Sequence, residues 1–340
     1  MAATNKIGLS KSDYKGAPTT LCQGCGHNSI LSQIIAACYE TDMLPEDIVK
    51  FSGIGCSSKA PTYMLDRSFG FNGLHGRMPA LATGALIGDP TLTGLAMSGD
   101  GDSISIGMGQ FKHVIRRNVP MVYIIANNGT YGLTKGQLSA TSEVGLTLKK
   151  HGTNELEPID VCLEAMASNA TFVARAFAGN PKQVKTLIKA ALHHNGTAIL
   201  DIISPCVTFN NADDSLHSYA WGRENKTPIH DLSFIPARDE IMIEDFEEGT
   251  TQDVIMHDGS KVRLQKLERD YDPTDRIAAV QIIEEARANH LLLTGLMYIS
   301  PDRPSLMDTL NLPEKPINRL TPDELRPSAD TLETINAAMF

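Results

Sequence analysis

Aromatic side chains are scarce in this 340-residue chain, 6% in all with a single tryptophan, and its 30 Lys plus Arg are outnumbered by 40 Asp plus Glu. A formal charge of −10 and no aromatic platform argue against a nucleic-acid module. Cysteine is limited to six residues at irregular spacing, unlike a secreted disulfide framework, so a reducing cytoplasm is expected. No apolar run approaches the roughly 18 residues of a spanning helix. Val119–Ala126 and Leu291–Ile299 are core-sized, and no membrane partner is expected. Met1–Lys15 is polar and lacks an apolar signal core. Internal repeats, low-complexity tracts, a Gly-x-x-x-x-Gly-Lys-Ser/Thr loop and a Gly-x-Gly-x-x-Gly turn are all absent. What remains is ordinary: 42% hydrophobic and 21% charged residues, suited to one large α/β domain with additions.

Helical and strand patterns alternate from Gly26 to Ile203. Helical spacing is seen in His27–Glu40, Met78–Ile87, Ser103–Arg117, Ile159–Ala167 and the helix capped by Asn180-Pro181. Ile48–Ser52, Leu92–Met97, Met121–Ala126, Thr171–Phe177 and Ala198–Ile203 read as strands. This rhythm predicts a doubly wound parallel sheet, whose ligands gather at the carboxyl ends of the strands. That rule nominates loops 53–59, 98–103, 127–137 and 204–210, with the turn 24–27. Beyond Pro228 the character changes. Asp239–Asp258 holds eight carboxylates, read as a solvated hairpin face, and Asp258-Gly259 separates Val254–Met256 from Val262–Leu264 as a hairpin. A helix over Thr274–Asn289 follows, then a tail with six prolines from Pro301 to Pro327, read as an arm lying on another surface. The expected division is a cofactor-binding domain over 1–228, an accessory region over 229–300 and a tail over 301–340.

Gly99-Asp100-Gly101 follows one predicted strand and Asn127-Asn128 the next, a pattern suited to a magnesium diphosphate. Asp100 offers a hard anionic oxygen, Asn128 an amide oxygen and Thr130 a backbone carbonyl. The glycines let the main chain approach and donate N–H groups, and the helix starting near Ser103 adds its positive end. Cys22, Cys25, Cys56 and Cys206 all fall on the same sheet edge. Four thiolates from separated segments can hold a 4Fe–4S cluster; structural zinc or a catalytic dithiol would use the same residues. Cys38 and Cys162 read as core residues. His27, at a helix start beside Cys25, steadies that loop or caps the helix.

The Gly99–Gly101 and Asn127-Asn128 pair matches the thiamine diphosphate signature. With Leu74-His75-Gly76-Arg77, Arg116-Arg117-Asn118-Val119 and Tyr131–Gln137, the chain from Leu21 to Asp214 resembles the β subunits of 2-oxoacid:ferredoxin oxidoreductases, most of all the 2-oxoglutarate enzymes. The resemblance implies a diphosphate-binding α/β fold with a C-terminal hairpin and helix extension. It implies thiamine diphosphate held by Ile54, Gly55, Cys56, Ser57, His75, Gly99, Gly101, Asp102, Gly132 and Leu133, with Mg2+ on Asp100, Asn128 and Thr130. It also implies one 4Fe–4S cluster on Cys22, Cys25, Cys56 and Cys206. The expected reaction converts 2-oxoglutarate and coenzyme A to succinyl-CoA and carbon dioxide, with electrons leaving one at a time to ferredoxin. His75 is a donor or proton shuttle, and Lys59 a point charge for the distal carboxylate. Leu133 argues against pyruvate, though pyruvate or a branched 2-oxoacid remains an alternative substrate. A subunit of a different class, carrying electrons or metal without catalysis of its own, is the other alternative. The carboxylate that thiamine chemistry needs at the aminopyrimidine has no evident place here. A larger α subunit with the pyrimidine-binding domain is therefore expected, in a heterotetramer.

Overall fold

The computed structural model describes residues 4–149, 151–235, 251–255, 261–266, 271–313 and 315–339. Its central sheet has eight strands: β1 (Ile48–Ser52), β2 (Phe69–Asn72), β3 (Thr93–Gly99), β4 (Met121–Asn127), β5 (Phe172–Phe177), β6 (Thr197–Ile203), β7 (Lys226–Pro228) and β8 (Leu292–Ile299). Their spatial order is 7-8-5-6-4-3-1-2. From β2 across to β5 every neighbouring pair is parallel, as the alternating pattern predicts. At the far edge β8 runs antiparallel to β5 and carries β7 parallel to itself.

Period-two burial explains the layers. Val122, Ile124 and Ala126 of β4 pack with Ile30 and Ile34 of α1 (Gly26–Glu40) and with Val184, Leu187 and Ile188 of the later helix Pro181–Leu192. Met121, Tyr123 and Ile125 face the opposite layer. There α2 (Met78–Gly88), α3 (Met108–Arg117), α4 (Val161–Ala167) and the helix Arg276–Ala288 supply Ala82, Phe111, Val114, Ala165 and Ile283. The helix Pro181–Leu192, α5, starts on Asn180, whose side chain accepts from the Gln183 N–H, with proline at its first position. Asp160 caps α4 through the N–H groups of Cys162 and Leu163, and Asp275 caps α6 (Arg276–Ala288).

The predicted helix over Ser103–Arg117 is divided. Gly101–Ile106 forms a π-helical turn and α3 begins only at Met108. Gly107, between them, is so tightly enclosed that a Cβ there would stand 2.7 Å from the Asp102 carbonyl. The C-terminal region departs further from the sequence reading. Its hairpin pairs Thr251–Ile255 with Lys261–Lys266, and a third strand, His230–Ile235, completes an antiparallel sheet. Asp258-Gly259 and the acidic residues 239–250 lie outside the described residues. Leu292–Ile299 enters the main sheet as β8, so the sheet draws on residues beyond position 228. The start of the proline-containing tail lies on the chain's own body. The Asn118 amide donates to the carbonyls of Arg303 and Pro304, and the Leu306 N–H to the Asn118 carbonyl. The last helix, Ala329–Met339, buries no residue. Among the described residues no helix is long and apolar enough to cross a membrane.

Lys50 is the unexpected residue of β1. It is buried, and its ammonium donates to the carbonyls of Pro61, Met64 and Leu65 at 2.9, 2.9 and 2.6 Å. Burial pushes its pKa down, and nearby Asp66 opposes that fall. The interaction staples segment 56–65, which carries Cys56 and Lys59, against the sheet. Lys50→Met would leave three carbonyls without this donor, at a cost of about 3 kcal/mol or more. Thermal unfolding should show a midpoint several degrees lower, with segment 56–65 becoming sensitive to protease. An unchanged midpoint and cleavage pattern would contradict the staple.

Candidate functional site

Six parallel strands end on one edge, and the loops that follow them build a cleft there. Of the residues expected at the cofactor, Ile54, Gly55, Cys56, Ser57, His75, Gly99, Asp100, Gly101, Asp102, Asn128, Thr130, Gly132 and Leu133 line this single cleft. Lys59 does not; it is exposed on the rim, close enough to Cys56 for its charge to favour that thiolate. Cys22, Cys25 and Cys206 lie beside the cleft rather than in its lining.

Asp100 is 1% exposed. Its Oδ2 accepts from the hydroxyls of Ser139 at 2.5 Å and Thr141 at 2.8 Å, and its Oδ1 accepts from the Asn128 N–H at 3.2 Å. Burial pushes its pKa up, and these three donors oppose the rise. The Asn128 Oδ1 accepts from the Thr130 N–H at 3.2 Å, and the Thr130 carbonyl from the Gly132 N–H at 3.1 Å. Asp100 Oδ1, Asn128 Oδ1 and the Thr130 carbonyl each accept one hydrogen bond and keep a lone pair, so a hard cation suits the donor set. Ser139 and Thr141 were not singled out from the sequence. Their only signal is three hydroxyl residues, Ser139, Thr141 and Ser142, just past a loop already nominated.

Asp102 acts on the protein itself. Its carboxylate accepts from the N–H of Ile54 at 3.1 Å, the N–H of Gly76 at 2.7 Å, the Ser98 hydroxyl and His75 Nδ1 at 2.5 Å. Gly53 makes this possible, because a Cβ there would fall 2.0 Å from the Asp102 carboxylate. With Nδ1 of His75 engaged, Nε2 is its free nitrogen, and the ring lies 6.2 Å from that of Tyr131, edge to face. The Tyr131 hydroxyl donates to the Gly101 carbonyl at 3.1 Å. The cleft encloses about 40 Å³, and Tyr131 and the exposed Leu133 and Thr134 form part of its lining.

Asn127 organises the loop from below. It donates through Nδ2 to Asp201 at 3.1 Å, and its Oδ1 lies 3.2 Å from Nε2 of the buried His217. Burial drops the His217 pKa to about 4, so the ring is neutral and Nε2 is the donor. Asp201 in turn pairs with the buried Arg175, which makes a two-pronged contact with Asp160 at 2.8 Å.

The four edge cysteines are free thiols that converge beside this cleft. A Cβ on Gly132 would stand 3.6 Å from the Cys56 sulfur and 3.8 Å from that of Cys206. Burial pushes the Cys25 thiol up to about 11, with the neighbouring Cys206, Cys22 and Cys56 adding to the rise. The loops are stitched together by the Gly26 N–H donating to the Pro205 carbonyl at 3.1 Å and by His27 Nδ1 against the Ser204 hydroxyl at 2.7 Å. His27 is buried, its pKa pushed down to about 4, and it therefore steadies the loop as a neutral ring. Cys38 and Cys162 are fully buried in the core, as expected. Among the described residues no three His, Cys, Asp or Glu side chains are arranged to hold a single metal ion.

Residues 53–202 match the thiamine pyrophosphate enzyme family, C-terminal TPP binding domain. The 2-oxoglutarate synthase subunit KorB of Methanocaldococcus jannaschii is 37% identical over 194 residues, 56% of this chain and 71% of that protein. The chain belongs to the β-subunit family of 2-oxoacid:ferredoxin oxidoreductases. Another member, from Saccharolobus solfataricus, is 41% identical over 56% of this chain, which there spans 63% of the relative's length. The 2-oxoglutarate:ferredoxin oxidoreductase of Magnetococcus marinus, solved with 2-oxoglutarate, coenzyme A and succinyl-CoA bound, superposes with a TM-score of 0.76 at 30% identity. That match covers 99% of both chains, so the family likeness extends through the C-terminal region that the sequence motifs do not reach.

Asp102 gives the site its most direct structural test. Each buried donor it satisfies would cost about 1–3 kcal/mol if orphaned. In Asp102→Ala, hydrogen exchange at the Ile54 and Gly76 amides should accelerate at least tenfold, with the core of β4 unaffected. Unchanged protection at both amides would show that the carboxylate does not hold these loops.

Proposed function

We propose that the chain is the diphosphate-binding β subunit of an enzyme that oxidises 2-oxoglutarate, with coenzyme A, to succinyl-CoA and carbon dioxide, ferredoxin taking the electrons. One observation carries this reading: Asp100, Asn128 and Thr130 line one cleft with Cys56 at the sheet edge, where a Cβ on Gly132 would stand within 4.0 Å of the Cys56 and Cys206 sulfurs and of the Asn128 side-chain amide. The bound molecules of the Magnetococcus marinus enzyme support the choice of substrate.

The donor chemistry fits the implied groups. Asp100, Asn128 and the Thr130 carbonyl would hold Mg2+ and through it a diphosphate. Cys22, Cys25, Cys56 and Cys206 would hold a 4Fe–4S cluster, in which each thiolate takes its own iron and the sulfurs stand apart. Bound thiamine diphosphate supplies the carbanion chemistry that releases carbon dioxide, and the cluster supplies single-electron redox capacity.

The chain's own residues set the geometry of that chemistry. Asp102 fixes the His75 ring through Nδ1 and leaves Nε2 to hold or deliver a proton at the oxoacid oxygen. Leu133 and Ile54 give the rim an apolar surface, 44% and 38% exposed, joined by Leu74 at 79%. A larger α subunit with a pyrimidine-binding domain would close over this rim, exclude water and complete the active site. Lys59 is the cation on the rim that a distal carboxylate would meet.

The α–β complex, purified without oxygen, should reduce ferredoxin with 2-oxoglutarate at least tenfold faster than with pyruvate, and the isolated chain should not react. Equal rates with both acids, or turnover by the chain alone, would contradict the reading. Asp100→Asn should weaken thiamine diphosphate binding in the presence of magnesium about a hundredfold by calorimetry, without unfolding the subunit. Lys59→Ala should raise KM for 2-oxoglutarate about tenfold and leave that for a neutral 2-oxoacid unchanged; equal effects would remove Lys59 from substrate selection.

A further inference from the structure

Cys22 is the exposed one of the four edge cysteines, yet it is held from two sides. Its carbonyl accepts from the Cys25 N–H at 3.1 Å and from the Asn28 side-chain amide at 3.0 Å. Asn28 in turn accepts from the Thr19 hydroxyl at 2.9 Å. Gly24, with φ at +78°, lets the chain turn back between the two cysteines. The second hold comes from the loop after β6, where the Thr208 hydroxyl donates to the Cys22 sulfur at 3.7 Å.

Thr208 belongs to an anchored turn. The Cys206 carbonyl accepts from the N–H groups of Phe209 at 3.2 Å and Asn210 at 2.9 Å. The buried Asn210 side chain donates to the Asn128 carbonyl at 3.0 Å and accepts from the Ser215 hydroxyl at 2.7 Å. A Val207 methyl lies 3.6 Å from where a Cβ on Gly24 would stand, and a Cβ on Gly136 would fall 2.7 Å from the Phe209 ring. Residues 207, 209 and 210 thus fix the turn against three neighbouring loops, and the hydroxyl of residue 208 is left aimed at one sulfur.

We propose that Thr208 is a positioning residue for electron transfer: its hydroxyl, donated to the Cys22 sulfur, raises the reduction potential of the cluster held by the four edge cysteines. The inference rests on the function proposed above and adds which side chain sets the potential of its redox centre. Reduction places one more electron on the cluster and its thiolates, with no ligand or proton exchanged. A donor aimed at a ligand sulfur therefore favours the reduced form. That potential governs how readily the cluster takes electrons from the cofactor side and how readily it gives them up. Valine is the informative replacement, because its methyl fills the place of the hydroxyl and keeps water from supplying another donor there.

The test is a redox titration of the oxygen-free α–β complex without substrate, with dithionite as reductant and the reduced cluster read by electron paramagnetic resonance. Thr208→Val should lower the midpoint by about 40 mV, the one-electron equivalent of a roughly fivefold change in the reduction equilibrium, with iron content unchanged. Thr208→Ser, which keeps the hydroxyl, should stay within about twofold of wild type. Should Thr208→Val lose iron, Thr208→Ala carries the same expected shift. An equilibrium within about twofold of wild type in the variant without the hydroxyl would overturn the proposal, as would Thr208→Ser falling with it. Both results leave the proposed function standing, whereas a wild-type complex that lacks iron would overturn that function itself.

Discussion

A buried carboxylate needs donors, and at this sheet edge the donors come from the ends of neighbouring strands. Asp102 gathers the loops after β1 and β2 onto β3 through Ile54, His75, Gly76 and Ser98. Asp100 ties β3 to the segment after β4 through Asn128, Ser139 and Thr141. Asp201 joins β6 to β4 through Asn127, and Arg175 carries the chain of contacts to Asp160 at the start of α4. Burial works against ionisation at Asp100, Asp160 and Asp201. At Asp160 the Arg175 guanidinium and the Leu163 N–H prevail and hold its pKa below the usual range. At Asp201 burial prevails and its pKa rises, despite Arg175. Removing one member of such a network leaves its partners desolvated and unpaired, so the loops are set by the network as a whole.

That arrangement explains why the loops can be rich in glycine and still hold a defined shape. Gly53 is required because Asp102 occupies the space of a side chain. The flexible backbone is stitched from outside by carboxylates and, under Cys56, by the Lys50 ammonium. A rigid floor of this kind suits the proposed site, which would keep an anionic cofactor and a redox centre at fixed separation.

Much of the edge was readable before any coordinates. The strands before Asp100, Asn128 and Cys206 announce themselves by short apolar runs, and the parallel-sheet rule brings their following loops together. Other features were not readable, each for a physical reason. Asp102 lines the cleft with the other residues expected there, but its bonds to the Ile54 and Gly76 amides join residues far apart in sequence and leave no local pattern. Ser139 and Thr141 meet Asp100 across about forty residues, and hydroxyl residues carry no periodic signature. Leu291–Ile299 reads as a core-sized run, yet nothing local says that it enters the sheet antiparallel to β5. Lys50 resembles a surface residue within a strand, since its three acceptors lie beyond the following turn.

The account stands on the proximity of an iron–sulfur cluster and a magnesium-bound diphosphate on that edge. Anomalous diffraction at the iron edge from crystals of the loaded complex tests it most directly. The predicted result is a compact iron peak enclosed by Cys22, Cys25, Cys56 and Cys206, with diphosphate density at Asp100 and Asn128 in the adjoining cleft. A single zinc peak, or iron away from those sulfurs, would contradict it.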